Sequence, residues 1–89
     1  MTRTEYAEHR TERRARLYDW AGKVQDALVV YIRALDLTPT RHHPLVIEYL
    51  QHVLTEEFLN ITEAMLNEDT ATVRLAATRG ARYLAHIYG

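Results

Sequence analysis

The fold follows from residues 17–35, LYDWAGKVQDALVVYIRAL, in which apolar side chains recur at intervals of three or four residues. This spacing places them on one face of an α-helix, in the pattern of a helical-bundle seam. The members of the stripe are Leu17, Ala21, Val24, Leu28, Tyr31 and Leu35. Residues 29–32 would also suit a strand, but the sequence offers no partner strand, so we predict a helix.

Toward the N-terminus the same face becomes rich in arginine. At about 100° per residue, it continues through Arg3, Tyr6, Arg10, Arg13 and Arg14. Three glutamates (Glu5, Glu8 and Glu12) fall on the opposite face. We therefore predict that the first helix extends beyond its own core, and that these four arginines and Tyr6 form an interaction face for an acidic partner.

The composition is that of a small globular domain. The 89 residues are too few for two independent cores, and 47% hydrophobic with 26% charged residues is typical of folded proteins. The chain has no cysteine, which excludes disulfides and thiolate metal sites. Small domains without such staples often gain burial by oligomerising. We expect one domain over residues 1–89, cytoplasmic and not membrane-bound, because no apolar run is long enough to span a bilayer.

Helical patterns cover three segments, at about 4–36, 44–67 and 70–88. Thr2 or Thr4 could cap the first, Pro44 suits the first turn of the second, and Asp69 or Thr70 could cap the third. The sequence thus predicts an all-α fold, a three-helix bundle with a long first helix. A break near Thr55 would instead make it a four-helix bundle.

Two positions depart from the apolar pattern of their helices. Gly80 lies on the apolar stripe of the third helix, where glycine costs about 1 kcal/mol relative to alanine; we expect another helix to approach closely there. Glu57 falls inside the apolar arc of the second helix, so it either lies at a kink or rim that reaches solvent or is buried against an arginine. We favour the kink or rim.

Charge is divided between the helices. No lysine or arginine occurs between Arg41 and Arg74, whereas the acids Glu48, Glu56, Glu57, Glu63, Glu68 and Asp69 all fall there. An acidic central helix could pair with its basic neighbours inside one protomer. Alternatively, the arginine face of one protomer could dock on the acidic helix of another.

Metal and nucleophile chemistry find little support. Glu48, His52 and Glu56 share one helical face at four-residue spacing, but bundle metal sites need a second set of ligands that this chain lacks. Neither serine nor cysteine is present, so Ser-His-Asp and Cys-His arrangements are excluded. No glycine-rich phosphate loop occurs. We expect no metal and no cofactor.

A short C-terminal run carries a different chemistry, RGARYLAHIY over residues 79–88. Arg79, His86 and Tyr88 resemble the signature of HEPN ribonucleases, all-helical dimers in which an arginine and a histidine meet at the dimer interface to cleave RNA. The resemblance implies catalytic roles for Arg79 and His86. Arg82 shares their helical face, so His86 could act as an acid or base while the two arginines hold phosphate. The alternative is an exposed polar face without catalytic function.

The function that we predict is non-catalytic: a self-associating protein–protein interaction module in assembly or regulation, with a further protein partner that the sequence does not identify. The predicted homodimer seam consists of Leu17, Trp20, Val24, Leu28, Tyr31 and Leu35. The alternative is nucleic-acid binding through the N-terminal arginine face. A net charge of −1 argues against it, because nucleic-acid binders are usually strongly basic.

Overall fold

A computed structural model describes residues 2–37 and 43–88, with the side chain of residue 88 excluded. It contains three α-helices, α1 (Arg3–Leu37), α2 (Pro44–Leu66) and α3 (Thr70–Tyr88), and no strand within the described residues. Each helix contacts the other two, which makes the fold an all-α three-helix bundle. Residues 38–42, between the first two helices, lie outside the described residues.

Three of the six helix ends differ from the predicted bounds, each by one residue. α1 begins with a capping box: the Glu5 amide donates to Thr2 Oγ1 at 3.2 Å, and the Thr2 amide donates to Glu5 Oε2 at 3.4 Å. α2 has Pro44 in its first turn, and the helix continues through Thr55 without interruption.

The core lies where the three helices meet, and α1 supplies the largest share of it. The buried apolar residues of the core, from all three helices, are Ala21, Val24, Leu28, Tyr31, Leu35, Leu54, Ile61, Ala64, Val73, Ala76 and Ala77. Gly80 allows α3 to approach this core closely. An added Cβ would lie 3.1 Å from Val24 Cγ1 and 3.4 Å from Leu28 Cδ1, so the predicted close approach is confirmed.

Two glutamine side chains hold α1 and α2 in register. Gln25 Nε2 donates to the Phe58 carbonyl at 3.1 Å and to Thr62 Oγ1 at 2.7 Å. Gln51 Nε2 donates to Asp36 Oδ1 at 2.7 Å. The early part of the buried α1 segment therefore lies beside the late part of α2, and the two helices run in opposite directions.

The connection from α2 to α3 is a short, capped turn. Glu68 has a φ of 54°, in the left-handed region where glycine is usual. The Glu68 amide donates to the Met65 carbonyl and the Asp69 amide to the Ala64 carbonyl, the two bonds of a Schellman motif. Asp69 then caps α3 by accepting from the Thr72 amide at 3.1 Å.

The first four turns of α1 extend past this connection. We call residues 3–16 the overhang; every one of them is exposed. At 1.5 Å per residue, α1 is about 52 Å long and α2 about 34 Å, and the molecule measures 58 × 23 × 16 Å. The overhang is therefore a helix without a packing partner among the described residues.

Candidate interaction surface

The predicted arginine face lies on the overhang and forms one wall of a groove. The groove encloses about 520 Å³ and its other wall is the α2–α3 turn. It is lined by Tyr6, Ala7, Arg10, Thr11, Arg13, Arg14, Leu17, Glu68, Thr70 and Arg74. Arg3 lies one turn further out, near the tip of the overhang. The structure thus groups Tyr6 and three of the four predicted arginines, and it adds Arg74, which helix periodicity within α1 could not reveal.

The overhang is locally basic and its charges are unneutralised. It carries five arginines and three glutamates, a net charge of +2. Neither of the two ion pairs among the described residues involves an overhang arginine. Arg10 instead lies over the ring of Tyr6, with its guanidinium carbon 5.8 Å from the ring centroid. This surface is suited to an acidic partner.

The predicted oligomer seam divides into two parts in the structure. Val24, Leu28, Tyr31 and Leu35 are buried in the core of a single protomer. Leu17 is half-buried, and Trp20 is 38% exposed. Packing within the bundle already buries Val24, Leu28, Tyr31 and Leu35. Of the predicted seam, therefore, only the exposed surface of Leu17 and Trp20 is available to an interface that leaves the protomer intact. The homodimer seam itself stays a prediction.

A second unpartnered surface lies on the side of α2 that faces away from the core. Seven exposed residues recur there at spacings of four and three. They are Leu45, Tyr49, His52, Glu56, Leu59, Glu63 and Leu66, which we call the outer stripe. The sequence analysis missed it, although its spacing is that of a coiled-coil seam, because the stronger apolar arc of α2 lies on the opposite side.

Glu57 is buried, so the expectation of a kink or rim position is wrong. It is 8% exposed, and Arg79 Nε donates to Glu57 Oε2 at 3.0 Å. α2 is continuous at this point, and α3 brings the guanidinium to the carboxylate across the helix interface. Among the described residues this is the single ion pair between two helices. Within the described part of the protomer, therefore, most acids of α2 form no ion pair.

The residues of the ribonuclease signature lie on α3 with different surroundings. Arg79 is held by Glu57, which gives it a structural contact. Arg82 and His86 are exposed. Catalysis by these three residues stays a prediction, and loss of RNA cleavage on His86→Ala would be its test.

Within residues 2–37 and 43–88, acidic and histidine side chains do not gather into a metal centre. No group of three potential ligands suitable for a metal ion is found in the described part of the chain. The pKa of Asp69 is lowered by the hydrogen bonds from the Thr72 hydroxyl and amide. That carboxylate is an N-cap, so its shift reflects helix capping.

Comparison with protein-family models, with curated proteins and with solved structures gives no match for this chain. Within residues 2–37 and 43–88, no helix is long and apolar enough to cross a membrane. A functional proposal must therefore come from the surfaces of the bundle itself.

Proposed function

We propose that this chain is a small, non-catalytic helical interaction module that self-associates, as a homodimer, in assembly or regulation. The observation that carries the proposal is the overhang: four helical turns with an arginine face and no packing partner among residues 2–37 and 43–88.

Helix physics supports a partner for this segment. Isolated helices shorter than about 12–15 residues are marginal in water, and the overhang has only its capping box and its continuity with α1 to stabilise it. A partner that covers the arginine face would both order the segment and neutralise its charge. The acids of α2 that the protomer leaves unpaired provide the complementary charge in a second copy.

Analytical ultracentrifugation of the full chain tests self-association. We expect a dimer for the full chain and a monomer for a chain that begins at Ala15, because that truncation removes nearly all of the overhang and leaves every buried residue in place. Circular dichroism of the truncated chain should show that the bundle remains helical. A full chain that stays monomeric at high concentration would contradict the proposal.

Nucleic-acid binding is a second candidate, favoured by the position of Arg74 in the same groove as Arg10, Arg13 and Arg14. Guanidinium groups from two helices could contact successive phosphates. Retention of mixed RNA and DNA across a salt series tests it, because affinity carried by phosphate contacts falls steeply with salt. Binding that is lost on Arg74→Ala in a chain that remains monomeric would favour this candidate over self-association.

A further inference from the structure

We infer that the overhang of one copy docks along the outer stripe of α2 of a second copy, with the two helices running in the same direction. This inference rests on the proposed self-association and assigns the surface that accepts the overhang.

The two surfaces have the same residue spacing. On the overhang, Arg3, Tyr6, Arg10 and Arg13 follow one another at intervals of three, four and three residues. On the outer stripe, Glu56, Leu59, Glu63 and Leu66 do the same. Two helices with matching three-four spacing can pack along a common seam. Side by side in the same direction, the four residues of each set meet in order.

In this register three of the four pairs are complementary, and the fourth places Arg13 beside Leu66. Arg3 would face Glu56 and Arg10 would face Glu63. Between these pairs Tyr6, 55% exposed, would cover Leu59, 52% exposed. Exposed apolar side chains and unpaired charges on both surfaces would thus be covered in one contact.

The overhang and α2 carry net charges of opposite sign. α2 contains four glutamates and neither lysine nor arginine, so nothing on the helix itself repels a guanidinium. The overhang carries a net charge of +2. Its own glutamates lie on the opposite face of α1, where they would point away from the acids of α2.

Symmetry decides the direction of the docking. α1 and α2 are antiparallel within a protomer, as the Gln25 and Gln51 hydrogen bonds require. An overhang parallel to the partner's α2 therefore inverts the two copies relative to each other. A two-fold axis across the bundle produces that inversion and repeats the same contact a second time, which closes the dimer.

The reverse direction would have a different consequence. It would pair Arg3 with Glu63 and Arg10 with Glu56 at the same spacing, but both copies would then point the same way. Such a contact is heterologous and leaves one overhang uncovered, so it would extend into an open chain. A closed dimer requires the parallel register.

Charge reversal on the two surfaces tests the inference. One variant carries Arg3→Glu with Arg10→Glu, and the other carries Glu56→Arg with Glu63→Arg. We expect each variant alone to weaken dimerisation by about tenfold or more, because like charges would then face each other in both contacts. An equimolar mixture should recover a heterodimer of near wild-type affinity, since both of its contacts again pair opposite charges.

Matched controls use exposed charges outside the register. Arg16→Glu lies at the end of the overhang, outside the four paired positions, and Glu48→Arg lies on α2 beyond the reach of the partner's overhang. Both should leave the dimer dissociation constant within about twofold of the wild type, as expected for screened, distant surface charges. Circular dichroism of every variant checks that the bundle is intact.

Single reversals fix the direction. Arg10→Glu mixed with Glu63→Arg should recover heterodimer, whereas Arg10→Glu mixed with Glu56→Arg should not. Recovery only with Glu56→Arg, or growth into larger species with concentration, would overturn the parallel register.

The other outcomes separate the two levels of the argument. A wild-type chain that is monomeric removes the proposed function and this inference together. A wild-type dimer that is unaffected by Glu56→Arg with Glu63→Arg keeps the proposed function and overturns only the docking site. Retention of nucleic acid that depends on Arg3 and Arg10, with dimerisation unchanged, would also overturn it.

Discussion

The two halves of α1 present the same helical face with opposite results. Residues 21–35 carry apolar side chains there, and the face is buried between α2 and α3. Residues 3–16 carry arginines on the same face, and it is exposed along its whole length. Both halves have the periodicity of a bundle helix. Periodicity therefore sets which side chains share a face, whereas burial depends on what lies opposite that face.

The two halves should differ most in the loss of free energy of unfolding when one residue of this face is replaced by alanine in each half. Leu28→Ala should lower the free energy of unfolding by about 3 kcal/mol, because Leu28 is fully buried and its loss leaves a cavity. Arg10→Ala should change it by less than about 0.5 kcal/mol, as is usual for surface substitutions. Urea denaturation at protein concentrations below the dimer dissociation constant measures both. Equal losses would mean that the overhang is already part of the folding unit of a single protomer.

A buried charge of the bundle should contribute more to stability than an exposed charge. Glu57→Gln should destabilise the protein by about 1 kcal/mol, because it weakens the hydrogen bond to Arg79, a residue that is itself partly exposed. Glu56→Gln, one position away on the exposed side of α2, should have almost no effect on the isolated protomer. Thermal melts of the two variants provide the comparison. Identical melting temperatures would show that the buried pair contributes nothing to stability.

The two internal glycines should respond with opposite signs. Gly22→Ala should stabilise the protein by about 1 kcal/mol, because alanine is the better helix former and a Cβ at this position meets no atom within 4 Å. Gly80→Ala gains the same propensity but presses on Val24, whose β-branched side chain is stiff. Overpacking costs about 1–3 kcal/mol, so the net change should be a loss. A stabilising Gly80→Ala would mean that α3 can move away from α1 at little cost.

The smallest expected effect is on the stability of the protein at low pH. Since hydrogen bonds from Thr72 lower the folded pKa of Asp69, its contribution to stability is present above the unfolded pKa of about 3.9 and is lost as the pH falls through the lower folded pKa. Asp69→Asn should therefore reduce the pH dependence of stability below about pH 4. Acid titrations followed by circular dichroism compare this variant with the wild type, and equal pH dependence in the two chains would contradict the prediction.

Much of the bundle could be predicted from the sequence because its determinants are local. Each of these determinants acts within one helix: the apolar spacing, Pro44, and the caps at Thr2 and Asp69. The position of Gly80 on an apolar stripe likewise indicates the close approach of another helix. Sequence reasoning did not resolve Glu57, because the choice between rim and ion pair depends on which α3 residue comes opposite. Arg79 is 22 residues away, and only the packing of α3 on α2 identifies it.

Only the α1 part of the candidate surface could be predicted from the sequence. The arginine face of α1 is a property of one helix, so its residues could be named in advance. Arg74 joins the groove through the α2–α3 connection, a tertiary effect that no spacing within α1 encodes. The outer stripe of α2 was visible as a repeat, but recognising it required knowing which of two stripes the core would use.

The tight connection at Glu68 has a kinetic consequence. It joins α2 and α3 through residues 67–69, whereas the six residues 38–43 separate α1 from α2, so the α2–α3 loop closes over the shorter stretch of chain. Short-range contacts close with less entropy loss and form faster. The α2–α3 hairpin should therefore assemble first, and α1 should dock onto it in the rate-limiting step.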